Sequence, residues 1–280
     1  MLKSNHHTHS HFSDGSSHPE AYIERAIQLS FDVLGFTEHS PLPFDNPFSF
    51  KPARKEEYLH LMGELKRRYS EKLILHAGME MDYIPGISED FRSIREEYHA
   101  DYLIGSVHLV KPDLSEELWF TDGPHQETYD DGITKLFNGD ARKAVTTYYR
   151  QVNTMITTQD FEIIGHFDKI KMHNRNRYFR EDEKWYRDLV LETLSLIRQK
   201  GLIVEVNSRG IYKKRSDSPY PGLEILKEIA RQNIPVMINS DAHQPGELDG
   251  AFPETTSVLS DAGISKVLVY RENRWEFSSL

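Results

Sequence analysis

The chain has 280 residues, 38% of them hydrophobic, with 14 Tyr, 14 Phe and 3 Trp, which supplies one large core and excludes disorder. It contains no cysteine, so a disulfide framework and a thiolate metal site are both excluded, and a reducing compartment fits. A formal net charge of −10 disfavours a broad nucleic-acid-binding face, which needs Lys and Arg against phosphates, but allows one small phosphate ester held by a few cationic groups.

Apolar strand-like runs alternate with amphipathic stretches of helical period. A strand is predicted over 3–7, running into His7-Thr8-His9, and Asp14 follows in Ser13-Asp14-Gly15. Pro19 opens a helix carrying Tyr22, Ile23, Ala26, Ile27 and Leu29, at a position where its missing N–H costs nothing. A strand at 33–37 ends on Glu38-His39, and a helix with Tyr58, Leu59, Met62, Leu65 and Tyr69 on one side covers 56–69. The strand at 73–79 ends on Glu80, a helix spans 88–98, and the strand at 102–107 ends on His108. After a helix over about 140–155, a strand at 163–165 meets His166, followed by the basic run 169–180. A helix at 183–199, a strand at 202–206 leading to Asn207-Ser208-Arg209, a helix at 222–232 and a strand at 235–240 ending on Asp241-Ala242-His243 complete the alternation. An apolar run at 266–270 adds a terminal strand, and the strand-free stretches 41–55 and 109–138 read as loops.

Repeated β-then-α order predicts parallel strands with right-handed crossovers. His7, His9, Asp14, His39, Glu80, His108, His166, Asp241 and His243 lie at or just beyond the ends of these strands. Groups spread over so many strands converge only if all the strand ends surround one mouth, as in an α/β barrel. On a strand, alternate residues face the same side, so His7 and His9 point together, as do Asp241 and His243. Imidazole and carboxylate without cysteine is the ligand chemistry of a hydrolytic metal centre. Glu80 is costly at the end of an apolar strand unless it is paired with a cation, and it can bridge two ions. Asp14 taken alone is an ordinary turn aspartate and gains meaning only with the others. Asp82 and Asp168, two residues beyond strand-end groups, are candidates for orienting imidazoles from behind. The remaining histidines, including His6 and His76, read as structural or rim residues.

The motifs His7-Thr8-His9, Ser13-Asp14-Gly15, Thr37-Glu38-His39, Gly78-Met79-Glu80, Ser106-Val107-His108, Gly165-His166-Phe167-Asp168 and Asn239-Ser240-Asp241-Ala242-His243 resemble, in order and along nearly the whole chain, those of the polymerase-and-histidinol-phosphatase (PHP) metallohydrolases. Asn5 stands where an Asp-x-His opening would carry aspartate. The resemblance is strongest to the stand-alone histidinol-phosphatases of that superfamily. It implies one domain over 1–280 folded as a distorted (β/α)7 barrel, similar to a TIM barrel, with the metal site at the C-terminal ends of the strands. It also implies two or three divalent ions (Zn, Fe or Mn), with the nine residues above as ligands.

The expected activity is hydrolysis of L-histidinol phosphate to L-histidinol and phosphate, in histidine biosynthesis, by a hydroxide bridging the metals. Glu80, Asp241 and His243 are the expected catalytic groups, and Arg209 and Lys171 the expected phosphate contacts. A phosphatase acting on phosphotyrosine protein or nucleotides is the alternative on the same metal site, and a nuclease the weaker one. A small phosphate ester is the expected partner, with neither nucleic acid nor membrane. No apolar run approaches the roughly 18 residues of a membrane span and the chain opens directly into its first motif, so a cytoplasmic location is expected.

Overall fold

The structure, a computed structural model, describes residues 2–113 and 115–280. In chain order its strands are β1 (Ser4–Asn5), β2 (Val33–His39), β3 (Ile74–Asp82), β4 (Leu103–Ser106), β5 (Leu109–Val110), β6 (Trp119–Phe120), β7 (Ile163–Ile164), β8 (Ile203–Asn207), β9 (Val236–Asn239), β10 (Lys266–Arg271) and β11 (Arg274–Ser279). The helices are α1 (Pro19–Gln28), α2 (Lys55–Tyr69), α3 (Phe91–Tyr98), α4 (Gln126–Leu136), α5 (Ala141–Thr158), α6 (Lys184–Lys200), α7 (Arg209–Tyr212), α8 (Leu223–Arg231) and α9 (Phe252–Asp261). None of the described helices is long and apolar enough to cross a membrane.

Seven strands pair in parallel in the order β1-β2-β3-β4-β7-β8-β9. They are buried along almost their whole length because helices cover the outer face, which is why they read as continuous apolar runs. Helix starts are written locally: the Asp90 carboxylate accepts from the backbone N–H groups of Arg92 and Ser93, and Asp140 accepts from Lys143 N.

The seam between β1 and β9 closes the barrel by two different means. Low in the seam the Asn5 amide donates to Ser240 Oγ at 2.7 Å, and His6 N donates to Asn239 Oδ1 at 2.8 Å. At the mouth the main chain takes over: His9 N donates to Ala242 O at 2.8 Å and Ala242 N to His7 O at 3.2 Å, a parallel bridge between Thr8 and Ala242. The segments His7-Thr8-His9 and Asp241-Ala242-His243 are therefore bonded to each other. Asn5 stitches the seam here.

The other end of the barrel is plugged. β10 and β11 pair with each other outside the barrel sheet. Leu268, Tyr270 and Trp275 of this hairpin pack on Tyr102, Ile104, Ile163, Ile203 and Met237 at the barrel floor. The apolar run at 266–270 is thus a strand, but it seals the floor instead of extending the sheet. Tyr102 crosses the interior between β2 and β3, where a Cβ on Gly35 would fall 1.9 Å from its hydroxyl and one on Gly78 2.7 Å from its ring.

One expectation is corrected. Residues 109–138 are not a strand-free loop: the short antiparallel pair β5–β6 and helix α4 occupy half of the segment. α4 carries two aspartates and a glycine in its middle, so its apolar side is reduced to little more than Tyr129 and Ile133. Tertiary packing on Trp119, whose indole N–H donates to Tyr129 O, holds it instead.

Gly35→Ala is expected to lower stability by about 1–3 kcal/mol through overpacking against Tyr102. A drop in the urea midpoint at unchanged m-value would show it, and an unchanged midpoint would mean that Tyr102 can move aside.

Candidate metal centre

The mouth is organised around the carboxylate of Glu80, which is 1% exposed. Its Oε2 lies 3.1 Å from His7 Nε2, 3.3 Å from His9 Nε2 and 3.3 Å from His39 Nδ1. Its Oε1 lies 3.0 Å from His166 Nε2 and 3.4 Å from His108 Nε2. One carboxylate thus faces five imidazoles. Asp241 Oδ1 approaches His9 Nε2 at 3.5 Å and His243 Nδ1 at 3.4 Å. Asp14, at the rim, approaches His243 Nε2 at 3.1 Å and His39 Nε2 at 3.8 Å.

Several rings are held from behind by groups that only accept. His7 Nδ1 donates to Glu205 Oε1 at 2.5 Å, leaving Nε2 turned toward His9 and Glu80. His108 Nδ1 bonds Asp82 Oδ1 at 2.5 Å, and His39 Nδ1 lies 3.0 Å from Asp82 Oδ2. A carboxylate behind an imidazole fixes ring orientation and raises basicity at the far nitrogen, an arrangement found around metal ligands. Glu205 is in turn held by Asn207, Asn239 and the His166 backbone N–H.

The donor chemistry fits divalent cations. His7 Nε2 and His9 Nε2 face each other at 3.0 Å with a carboxylate oxygen close to both, so lone pairs converge on the same spaces. Among the described residues, four sets of side chains could each hold an ion: His9, Asp14, His39 and His243; His7, Glu80 and His166; His7, His9 and Asp241; and His39, Glu80 and His108. All are nitrogen and carboxylate donors, suited to Zn, Fe or Mn.

Burial disfavours charge throughout the mouth, and the close partners then decide each group. Against the desolvation that lowers it, His7 is held well above the ordinary imidazole range by Glu205, Glu80 and Asp241. His39 is likewise raised to about 10 by Asp82, Glu80 and Asp14. His9, beside His243 and His39, is pushed down to about 3, chiefly by burial. Burial would raise Glu80 and Asp241, yet imidazoles hold Glu80 well below the carboxylate range, and Arg209 and Lys169 do the same for Asp241. Protons and cations compete for the same lone pairs.

Above this cluster lies a cavity of about 250 Å³ lined by Asp14, His39, Glu80, His108, Asp241 and His243. Lys169, Arg209 and Arg215 stand at its wall, and Phe48, Phe120, Asp122, Gly123 and Pro124 complete it.

Each of the nine strand-end residues singled out in the sequence lies in this mouth. Arg209 lines the cavity, its Nη1 2.8 Å from His243 Nδ1 and bonded to Asp241 O at 2.5 Å. Lys171 does not. Its ammonium pairs with Asp168 Oδ2 at 2.7 Å and Glu181 at 3.3 Å and borders a different pocket, so its role as a phosphate contact is withdrawn. Asp168 also turns away from the imidazoles, accepting from Lys171 and from Gly222 N. Asp82 does hold imidazoles. The sequence reading missed Glu205, Lys169, Arg215 and Asp122. Glu205 left a trace, a charged residue inside an apolar strand, and Lys169 sits three residues past His166.

The chain is similar to known proteins along nearly its whole length. The PHP domain family matches residues 5–209. A histidinol-phosphatase of Bacillus subtilis is 27% identical over 267 residues, covering 90% of this chain and 97% of that protein. A Deinococcus radiodurans protein, named a probable histidinol-phosphatase, is 25% identical over 260 residues, covering 92% of each. Among solved structures, histidinol phosphate phosphatase of Lactococcus lactis, complexed with zinc, L-histidinol and phosphate, superposes with a TM-score of 0.69 at 19% identity, covering 98% of this chain and 99% of that one. That likeness is one of fold.

Glu205→Gln should weaken metal binding about 10- to 100-fold without unfolding the chain, as read by competition with a chromophoric chelator. An unchanged affinity would leave Glu205 a purely structural group. Loading the chelator-stripped protein should also release protons, because His7 and His39 hold them where cations would bind. The apparent metal affinity should therefore rise with pH from the usual imidazole range toward about 10. Calorimetry in buffers of different ionisation enthalpy measures that release, and a heat independent of buffer would rule it out.

Proposed function

The chain belongs to the PHP domain family, and from that premise we propose that it is a metal-dependent phosphomonoesterase that hydrolyses L-histidinol phosphate to L-histidinol and phosphate. The observation that carries the reaction class is the buried Glu80-centred cluster opening into a cavity with Lys169, Arg209 and Arg215 at its wall. Histidinol phosphate as substrate, and a place in histidine biosynthesis, are supported by the relatives' names along nearly their full lengths.

Two or three divalent ions, zinc, iron or manganese, would be held by His7, His9, Asp14, His39, Glu80, His108, His166, Asp241 and His243. When bound they lower the pKa of water toward neutrality and neutralise phosphate charge. The chain's own groups do the rest. Lys169, Arg209 and Arg215 hold phosphate oxygens through charge-assisted hydrogen bonds. Asp241, kept ionised by Arg209 and Lys169, takes the proton of the attacking water. The same proton is returned to the leaving alkoxide, with His243, 3.4 Å from Asp241 Oδ1 at the cavity edge, as the group that relays it. Glu80 stays ionised and fixes the spacing of the five rings around it. The bond from water oxygen to phosphorus forms as the ester P–O bond breaks, and one in-line displacement needs no phosphoenzyme. The absence of cysteine removes one covalent nucleophile. The cavity, smaller than the ~300–1,000 Å³ common for drug-sized ligands, suits a small ester better than a polymer.

L-Histidinol phosphate should be turned over with a higher kcat/KM than phosphotyrosine peptides or a dinucleotide. A reversed order would keep the metal site and reassign the substrate. Arg209→Ala should retain metal and lose about 10- to 100-fold in kcat/KM, mainly through KM, the value of one charge-assisted hydrogen bond. Hydrolysis of a stereochemically defined phosphate analogue in isotopically labelled water should invert phosphorus, and retention would reveal a covalent intermediate.

A further inference from the structure

We propose that Asp122 anchors the ammonium group of the leaving alcohol and is the specificity-determining residue of the cavity, with Phe48 and Phe120 forming the wall beside which the alcohol's ring lies. The inference rests on histidinol phosphate being the substrate and extends that reading to the part of the molecule remote from phosphorus.

Asp122 lines the cavity with a side chain only 5% exposed. Its Oδ2 is taken by Lys169 Nζ at 2.9 Å and lies 3.7 Å from His108 Nε2. Its Oδ1 is buried and has no hydrogen-bond partner among the described residues. The other buried carboxylates on the wall are satisfied: Glu80 by imidazoles, Asp241 by Asn207 with Lys169 close by. An anionic carboxylate on a cavity wall, with one of its oxygens left unpaired, is suited by a donor carried by the ligand, best a cationic one. L-Histidinol phosphate carries a primary ammonium on the carbon next to the ester methylene.

The segment around Asp122 is fixed before any ligand arrives. Thr121 N and Thr121 Oγ1 both donate to His108 O, at 3.0 and 3.1 Å, and His173 Nε2 bonds Gly123 O at 2.8 Å. Phe120 lies beside Phe48 with ring centroids 5.8 Å apart and planes 31° apart. Both rings pack on a small apolar cluster of Leu42, Ile84 and Leu109, so the wall has its own footing. An aromatic wall next to a carboxylate matches a leaving group that has a flat ring and a cation, and gives no advantage to the phosphate ester of an uncharged alkyl alcohol.

The test compares L-histidinol phosphate with its deamino analogue, 3-(imidazol-4-yl)propyl phosphate, on the metal-loaded enzyme. The native chain should prefer the amine-bearing ester about 10- to 100-fold in kcat/KM, the value of a hydrogen bond to a charged group. In Asp122→Asn that preference should fall to near one. Because the readout is a ratio, a general loss of rate does not imitate it. No preference in the native enzyme, or a preference kept in Asp122→Asn, overturns the proposal. Loss of metal from Asp122→Asn in elemental analysis would show the carboxylate to be a ligand and also overturns it. Failure of the native enzyme to hydrolyse histidinol phosphate while cleaving other monoesters overturns the substrate reading itself, a result distinct from these.

Discussion

Five imidazole nitrogens lie within 3.4 Å of the two oxygens of Glu80, inside a barrel where almost no water reaches them. At low dielectric such groups repel or attract strongly, so their positions must be imposed by the fold. Sheet order imposes them. Glu80 lies on β3, with β2 and β1 on one side and β4 and β7 on the other, so the five rings arrive from four strand ends, His7 and His9 together after β1. His39 pairs in register with Glu80 across β2 and β3. A slip of one residue would turn Glu80 to the helix side of the sheet and leave the imidazoles without a centre.

The interior of the barrel is divided accordingly. Toward the mouth it is ionisable, and toward the floor it is closed by Tyr102, Ile104, Ile163 and the β10–β11 hairpin. The floor matters to the site because Tyr102 Oη donates to His6 O at 2.8 Å, one residue before His7. Behind the imidazoles stand Asp82 and Glu205, buried carboxylates that would destabilise an apolar core if they were unpaired. Glu205 meets its acceptor capacity through His7, the His166 backbone, Asn207 and Asn239, drawing together groups from four strand ends. The asparagines at the ends of β8 and β9 therefore belong to the site's geometry although neither would touch a cation.

The fold and the residues that converge on the mouth were legible because both follow from local pattern. Strand parity paired His7 with His9, and repeated β-then-α order made the strand ends neighbours. What remained hidden depends on neighbours across the barrel. Nothing near Glu205 in sequence indicates that it faces His7, and Asp122 lies in a stretch whose helix is too polar, and whose two-residue strands are too short, to announce themselves. The choice of Lys171 over Lys169 failed for a geometric reason. Residues 169–171 form a 3-10 turn, in which successive side chains rotate by about 120°. Lys169 consequently meets Asp122 and Asp241 at the mouth, whereas Lys171 meets Asp168 and Glu181.

Charge within the mouth ties metal and substrate together. Asp14, Glu80, Asp82, Asp122, Glu205 and Asp241 outnumber Lys169, Arg209 and Arg215, and Lys169 and Arg209 already lie against Asp122 and Asp241. A phosphate dianion approaching this wall meets net negative charge unless cations or protons offset it. Protonated imidazoles would supply part of the offset, but a proton on a ring nitrogen blocks the lone pair that a cation needs. The bases at the cavity wall are therefore set to complement a phosphate whose charge is met mainly from below, by whatever occupies the Glu80 cluster. Phe48 and Phe120 stand apart from that electrostatic task, and they and Asp122 sit on segments that leave the barrel between its strands. Strand ends fix the reaction; the segments over the mouth can then vary the alcohol that is accepted without disturbing the carboxylates and imidazoles beneath.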